Sequence, residues 1–469
     1  MSTRTDAVAR VRAQLDHPVI DADGHLIEFV PLVEELAHEV GGGDLVDGFR
    51  RWLAPPTGPL RSRPRPGKRV FYSFPGEALD RATATVPHLL YDRLDEIGID
   101  FSMLYPTVGL GVLALPDADL RAGLARALNA YYATVTEGLR DRLEPVAVIP
   151  LVHPTEALEL LEHAVVDLGF RAFVTSAIVH RTELRTDGST AQWIDTVGHE
   201  SAYDYDPFWR RCVELRVAPS FHMVGYGWGT RTSRTNYVYN HLGNFAAGQE
   251  PACRSIVMGG VAARFPELSF SFLEGGVAWA CQLFADLVGH YGKRNRDAIG
   301  SLDPGGVDLD RFDDLFRRHA RGRLAAHRLG RDGVLFGRGA VAEDPASIDD
   351  FAEARITGID DIVRMFTTQF SFGCEADDPL NRLAFDRGLN PGHTQLRAMF
   401  ASDIGHWDVP DMRGVLPEAY EAVDEGVLSA EDFRKFTYEN AWRTLTAVRP
   451  DFFAPTAIAG AAAPLEAVR

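Results

Sequence analysis

Four apolar runs in this sequence close on an acid or an imidazole. "VIDADGHLIE" (residues 19–28) carries Asp21, Asp23 and His25 at alternate positions. "VAPSFHMVGYGWG" ends its apolar part on His222, "LSFSFLEGGVAW" on Glu274, and "LRAMFASDIGHWD" on Asp403, with His406 three residues on. Side chains two apart on an extended chain project to the same side, so a carboxylate and an imidazole at that spacing can converge on one cation. If the first run stays extended, Asp21, Asp23 and His25 share one face. Taken singly, each strand end reads equally well as a turn or a satisfied polar contact. Together, Asp/His, His, Glu and Asp form a convergent set suited to one or two divalent cations.

Such a set needs strands whose ends meet. Eight short apolar runs recur along the chain: "HPVIDADGH", "DFSMLYPT", "LEPVAVIPL", "FRAFVTS", "VAPSFHMVG", "LSFSFLEGG", "TTQFSFGCE" and "LRAMFASD". Several are continuously apolar, as parallel strands buried on both faces are. Amphipathic stretches such as "DLRAGLARALNAYYATVTEGLRDR" separate them. Alternating β and α elements with eight strands predict an α/β fold of the (β/α)8 TIM-barrel type, with chemistry at the C-terminal strand ends. No GxGxxG follows a strand, which removes the main sign of an open dinucleotide-binding sheet. Residues 1–469 are read as one metal-dependent barrel domain. Residues 40–90, rich in Gly, Pro and Arg, read as a loop insertion after the first strand, and 285–365 as a charged helical insertion between strands 6 and 7.

The whole chain bounds the answer further. It has 469 residues, 46% hydrophobic and 24% charged, the balance of a globular protein. Its net charge of −18 offers no positive field for nucleic acid or an anionic membrane. Four cysteines (Cys212, Cys253, Cys281, Cys374) show no CxxC spacing and read as reduced thiols. With no apolar signal-type segment at the N-terminus and no run of 18 apolar residues, a cytoplasmic location is expected.

The ordered motifs "DADGHLIE", "YDRLDEIGIDFSMLYPT", "PSFHMVG", "MGGVAARFPELSFSFLEGGVAW", "ASDIGHWD" and "ENAWRTL" resemble the amidohydrolase-related family, the branch of the amidohydrolase superfamily that includes metal-dependent hydrolases and decarboxylases. The resemblance runs from about residue 17 to about residue 448. It implies a barrel with metal at the strand ends and, often, a homodimer or higher homo-oligomer. The family's first strand usually carries two histidines separated by one residue; here Asp23 stands at the first and His25 at the second. His222 matches the fifth-strand histidine, Glu274 stands where many members have a sixth-strand histidine, and Asp403 matches the eighth-strand aspartate that binds metal or handles a proton.

The expected ligands are therefore Asp23, His25, His222, Glu274 and Asp403, with Asp403 and His406 as proton-handling residues. Three carboxylates and two imidazoles carry −3; one divalent ion leaves −1 and two leave +1. Such an oxygen-rich set favours iron or manganese slightly over zinc. Tyr105, Tyr226, Trp228 and His241 are expected to contact a small, partly apolar substrate. Glu375, closing the seventh strand, is within reach of the site; Cys374 reads as structural and His153 as a rim residue. Hydrolysis and non-oxidative decarboxylation use the same residues, and the sequence leaves both open. Two alternatives stand beside them: a non-haem diiron monooxygenase acting on an apolar metabolite, and a non-catalytic binding protein on a degenerate barrel.

Overall fold

The computed structural model describes residues 2–54, 75–222, 231, 233, 236–303, 306–327 and 348–461. Eight strand segments run parallel to their neighbours: β1 (Ile20–Leu26), β2 (Phe101–Pro106), β3 (Leu143–Pro145, continuing as Ala147–Val148), β4 (Ala172–Thr175), β5 (Ala218–Phe221), β6 (Phe270–Phe272), β7 (Phe370–Glu375) and β8 (Arg397–Ala401). β3 joins two ladders: its first part pairs with β2 and its second with β4. Across the break, Val146 N donates to Leu104 O (3.1 Å) and Ile149 N to Val174 O (3.0 Å). Beyond the ladders, Asp403 N donates to Asp23 O (2.9 Å) and His25 N to Ile404 O (3.0 Å), bringing the ends of β8 and β1 together. The eight sequence runs thus become the eight staves of the expected barrel.

Burial explains why these runs are strands. Every residue of β1, β2 and β4 is buried, so continuous apolar character is the strand signal here. Phe221, Phe272 and Phe372, in register on β5, β6 and β7, stack with centroids 5.2 and 6.0 Å apart. Helices between the strands take their stops from local chemistry. Asp117 accepts from Leu120 N at the start of Ala118–Val135, and Gly98, at φ 93°, ends Pro87–Ile97 in the left-handed conformation that disfavours a side chain.

One sequence expectation changes, the loop over 40–90, of which residues 55–74 lie outside the described residues. Residues 40–53, read as loop, are helical: Val30–Leu53 continues through the three glycines by kinking at Gly41 and Gly42, the latter at φ 67°. Its second half is held because Leu45, Val46 and Phe49 are buried. Residues 78–90 are also mainly helical (Ala78–Thr85 and Pro87–Ile97). An antiparallel hairpin, Val179–Leu184 with Thr190–Asp195, follows β4; its "TDGS" turn carried an Asp-Gly hairpin signal not used above. Among its described residues the 285–365 region takes in the second part of Ala278–Arg294, then Leu309–His319 and Ile359–Arg364. No described helix is long and apolar enough to cross a membrane.

Candidate metal centre

β1 does not stay regular. Asp21 pairs with Ser102 and Gly24 with Leu104, so β1 carries one extra residue between them, a bulge of the kind found beside active sites. This separates Asp21 from the pair that follows. Asp21 accepts from Ser102 Oγ (2.7 Å), Ser402 Oγ (2.8 Å), Ser402 N (2.9 Å) and Asp23 N (3.2 Å), pinning β1 to β2 and β8. Gly24 lets these groups approach: a Cβ there would lie 2.4 Å from Asp21 Oδ2. Asp23 and His25 are left to face the barrel mouth.

The predicted ligands meet there. His25 Nε2 lies 3.5 Å from both Asp23 Oδ1 and Asp403 Oδ1, and His222 Nε2 lies 2.8 Å from Glu274 Oε2 and 3.9 Å from Asp23 Oδ2. Two donors about 2.1 Å from a shared cation stand roughly 3.0 Å apart at right angles and about 4.2 Å apart when opposed, so the 3.5 and 3.9 Å separations are compatible with ligands around a metal, while the 2.8 Å between His222 and Glu274 is a hydrogen-bond distance. Donor atoms fall into two overlapping groups, Asp23/His25/His222 and His25/Glu274/Asp403/His406, each with all its atoms within 4.8 Å of one another.

Burial makes the fit stronger. Asp23, His25, His222, Glu274 and Asp403 are each at most 7% exposed. Both carboxylate oxygens of Asp23, His25 Nε2 and His222 Nδ1 have no hydrogen-bond partner, while Glu274 Oε2 and Asp403 Oδ1 meet only imidazoles of the same cluster, His222 Nε2 at 2.8 Å and His406 Nδ1 at 2.6 Å. Orphaned buried polar atoms cost about 1–3 kcal/mol each, more when charged, and a cation at their focus satisfies them together. The residues present therefore fit a divalent metal.

Neighbouring groups aim these ligands. His25 Nδ1 faces Pro106 O at 3.0 Å, which leaves Nε2 as the free donor. Gln249, wholly buried, donates from Nε2 to Phe221 O (2.9 Å) and Leu273 O (2.7 Å), holding the residues just before His222 and Glu274. Glu274 and Asp403 both have left-handed backbone, at φ 57° and 50°, a strained conformation that clusters at functional sites.

Electrostatics follow from crowding. Burial, and then neighbouring acids, push the Glu274 and Asp403 carboxyls well above the ordinary range; Asp23 moves the same way through burial, with His222 opposing. Burial, helped by the other histidines, holds His25 well below an ordinary imidazole and lowers His406 to about 3. His406 Nδ1 lies 2.6 Å from Asp403 Oδ1, close enough to share a proton, and its Nε2 lies 3.3 Å from Thr107 Oγ1. Glu375 is raised to about 8 by burial and by Glu274 and Asp408.

The remaining expectations divide. His241 lines a cavity of about 390 Å³ beside the centre, together with Asn244, Glu274, Glu375, Trp407 and Asp408. Tyr105 belongs to the wall: it is 2% exposed and its hydroxyl donates to Ser220 Oγ (2.8 Å) across the barrel. Tyr226 and Trp228 lie outside the described residues. His153 is remote in role, accepting from Thr155 N at a helix start and packing against Tyr203. Sequence reasoning missed Gln249, Asn244 and Asp408, and it saw Asp21 only by its place in the alternation, not as the pin between β1, β2 and β8.

With fold and geometry in hand, comparison with known proteins gives the class. The amidohydrolase family profile matches residues 20–361, and the chain belongs to that family. Among solved structures, it is similar to an amidohydrolase from Mycobacterium avium subsp. paratuberculosis K-10 (15% identity, 92% of this chain and 98% of that one, TM-score 0.52). It is also similar to 5-carboxyvanillate decarboxylase from Novosphingobium aromaticivorans DSM 12444 complexed with manganese (15%, 92% and 96%, TM-score 0.49). A third is 4-oxalomesaconate hydratase from Rhodopseudomonas palustris (14%, 93% and 98%, TM-score 0.46). At these identities the likeness speaks for the fold alone. No curated protein matches the chain at a significant level.

Proposed function

We propose that the protein is a metal-dependent enzyme acting on a small organic molecule by hydrolysis or non-oxidative decarboxylation. The observation that carries this reading is the buried donor set at the ends of β1, β5, β6 and β8, beside the Asp403–His406 pair. Asp23, His25, His222, Glu274 and Asp403 would hold the cation, with manganese or iron favoured by their oxygen-rich chemistry. When bound, the cation supplies Lewis acidity, polarising an oxygen and favouring its ionised form. Asp403 moves the proton: to the leaving group in hydrolysis, or to carbon in decarboxylation. His406, kept neutral by burial, orients Asp403 and shares that proton through the 2.6 Å contact. Gln249 and the Asp21 network hold the ligands in place so that no reorganisation accompanies the chemistry.

The test is turnover of a panel of amides, lactones and aromatic acids by protein stripped with chelator and then reloaded with Mn2+, Fe2+ or Zn2+. Activity lost on stripping and restored by one of these ions supports the reading; turnover indifferent to metal contradicts it.

A second reading, a dinuclear iron monooxygenase, is supported by the two overlapping donor groups that share His25 and by the acids Asp408 and Glu375 beside them. Two irons per chain together with substrate-dependent oxygen uptake would replace the first reading with this one.

A further inference from the structure

The cavity beside the metal centre has a chemistry of its own. Glu375 closes β7, Asp377 and Asp378 follow it, and Asp408 lies five residues past Asp403; all four line the cavity into which Glu274 also faces. Aromatic residues, His241, Phe245 and Trp407, line the same cavity. Trp407, 39% exposed, packs edge-on to Tyr237 (5.8 Å) and His241 (5.5 Å), and Phe245 carries the aromatic surface on to His222, with ring centroids 5.8 Å apart.

Asn244 supplies an independent sign that a ligand belongs there. It begins the helix Asn244–Met258, lines the cavity and is wholly buried, yet neither its amide nitrogen nor its amide oxygen has a hydrogen-bond partner. Asp408 Oδ1 is also buried, and the Asp408 carboxyl stands against that of Asp403. A buried amide left unmet costs about 1–3 kcal/mol unless an occupant with both donor and acceptor capacity completes it.

We propose that this cavity receives an organic cation: a substrate with a protonated amine or amidine on an apolar or aromatic body. Its N–H groups would meet Asn244 Oδ1 and the acids, its positive charge the carboxylates and the indole face of Trp407, and its body the His241 and Phe245 rings. The amino end of Asn244–Met258 lines the same cavity. It offsets only part of a unit charge, so it moderates the acidic field without reversing it. That this ligand is the substrate rests on the enzyme reading above; the charge preference of the cavity does not.

The experiment is calorimetric titration of Mn2+-loaded and of metal-free protein with three probes of one shape: 2-phenylethylammonium, 2-phenylethanol and 3-phenylpropionate. Wild type, Asp378→Asn and Trp407→Leu are compared, with metal content measured on every sample. The expected order is ammonium, then alcohol, then carboxylate, with the ammonium at least about tenfold tighter than the alcohol and each substitution shrinking that ratio about threefold or more. Carboxylate binding as tight as ammonium overturns the proposal, as does a ratio unchanged in both variants. Stoichiometric displacement of the ammonium by a second equivalent of Mn2+ also overturns it, because the acids would then be metal ligands. A protein that holds no metal but keeps the cation preference overturns the enzyme reading and leaves this one standing.

Discussion

Asp21 accepts both the backbone N–H and the hydroxyl of Ser402, at 2.9 and 2.8 Å, and so ties the first barrel strand to the last directly beside Asp23 and Asp403. Two proposed ligands far apart in sequence, Asp23 and Asp403, are thereby fixed relative to one another by a carboxylate that has a full set of partners of its own.

Replacing Asp21 with Asn keeps the shape but turns an N–H2 group toward donors it cannot satisfy. The expected result is a chain that still folds, with stability lowered by about 1–3 kcal/mol. Metal affinity should fall about 10- to 100-fold, the usual cost of disturbing a ligand's supporting partner. Thermal melts and competition against a chromophoric chelator measure the two effects. Unchanged metal affinity in a folded variant would remove Asp21 from the account.

Gln249→Leu leaves the Leu273 carbonyl unpaired in the core, and Phe221 O with only the Leu273 N–H (3.0 Å). A loss of about 1–3 kcal/mol is expected, the usual cost of one buried orphan. Loosened positioning of His222 and Glu274 should weaken metal binding as well. Chemical denaturation with metal present and absent checks this, because the metal-dependent increment in stability should shrink in the variant.

His406→Gln should keep the metal and lose the chemistry. If His406 serves the proton on Asp403, turnover of whichever panel substrate is active falls about 10²- to 10⁴-fold, with metal content unchanged. Loss of metal in this variant would instead make His406 a ligand.

The metal-free protein should be less stable in alkali than in mild acid. Folding raises the Glu375 carboxyl from its ordinary 4.5 to about 8 and moves Asp23, Glu274 and Asp403 upward as well. Groups raised in this way contribute stability that is fully present below pH 4.5 and is lost as pH climbs through the folded values, for Glu375 through about 8. The loss is on the order of a few kcal/mol over that window. A bound cation favours the ionised acids, so the rise in melting temperature on adding Mn2+ should grow from pH 6 to pH 8.5. An increment that is flat with pH contradicts this.

The strands and their closing residues were legible because the parallel strands are short apolar runs and the candidate ligands close them: His222 and Glu274 are the first polar residues after β5 and β6, and Asp403 comes one residue later after β8. What the sequence hid acts through geometry. The bulge at Asp21–Gly24 inserts a residue that no periodicity announces, and it turns Asp21 from a ligand candidate into a pin. Gln249 reaches strand ends 28 and 24 residues away from the middle of a helix, where a lone glutamine reads as surface. Glycines 41–43 suggested a loop, but a kink and buried Leu45, Val46 and Phe49 keep that segment helical. Tyr105 ends a strand as a substrate-facing residue would, yet its hydroxyl is taken by Ser220.

The central claim is that Asp23, His25, His222, Glu274 and Asp403 hold a divalent metal. Metal content by inductively coupled plasma mass spectrometry, on wild type and on Asp23→Ala and His222→Ala with folding checked by circular dichroism, tests it most directly. The account predicts at least one iron or manganese per wild-type chain and loss of that metal from both folded variants. Folded wild type without stoichiometric metal after reconstitution, or variants that retain it, would contradict the claim.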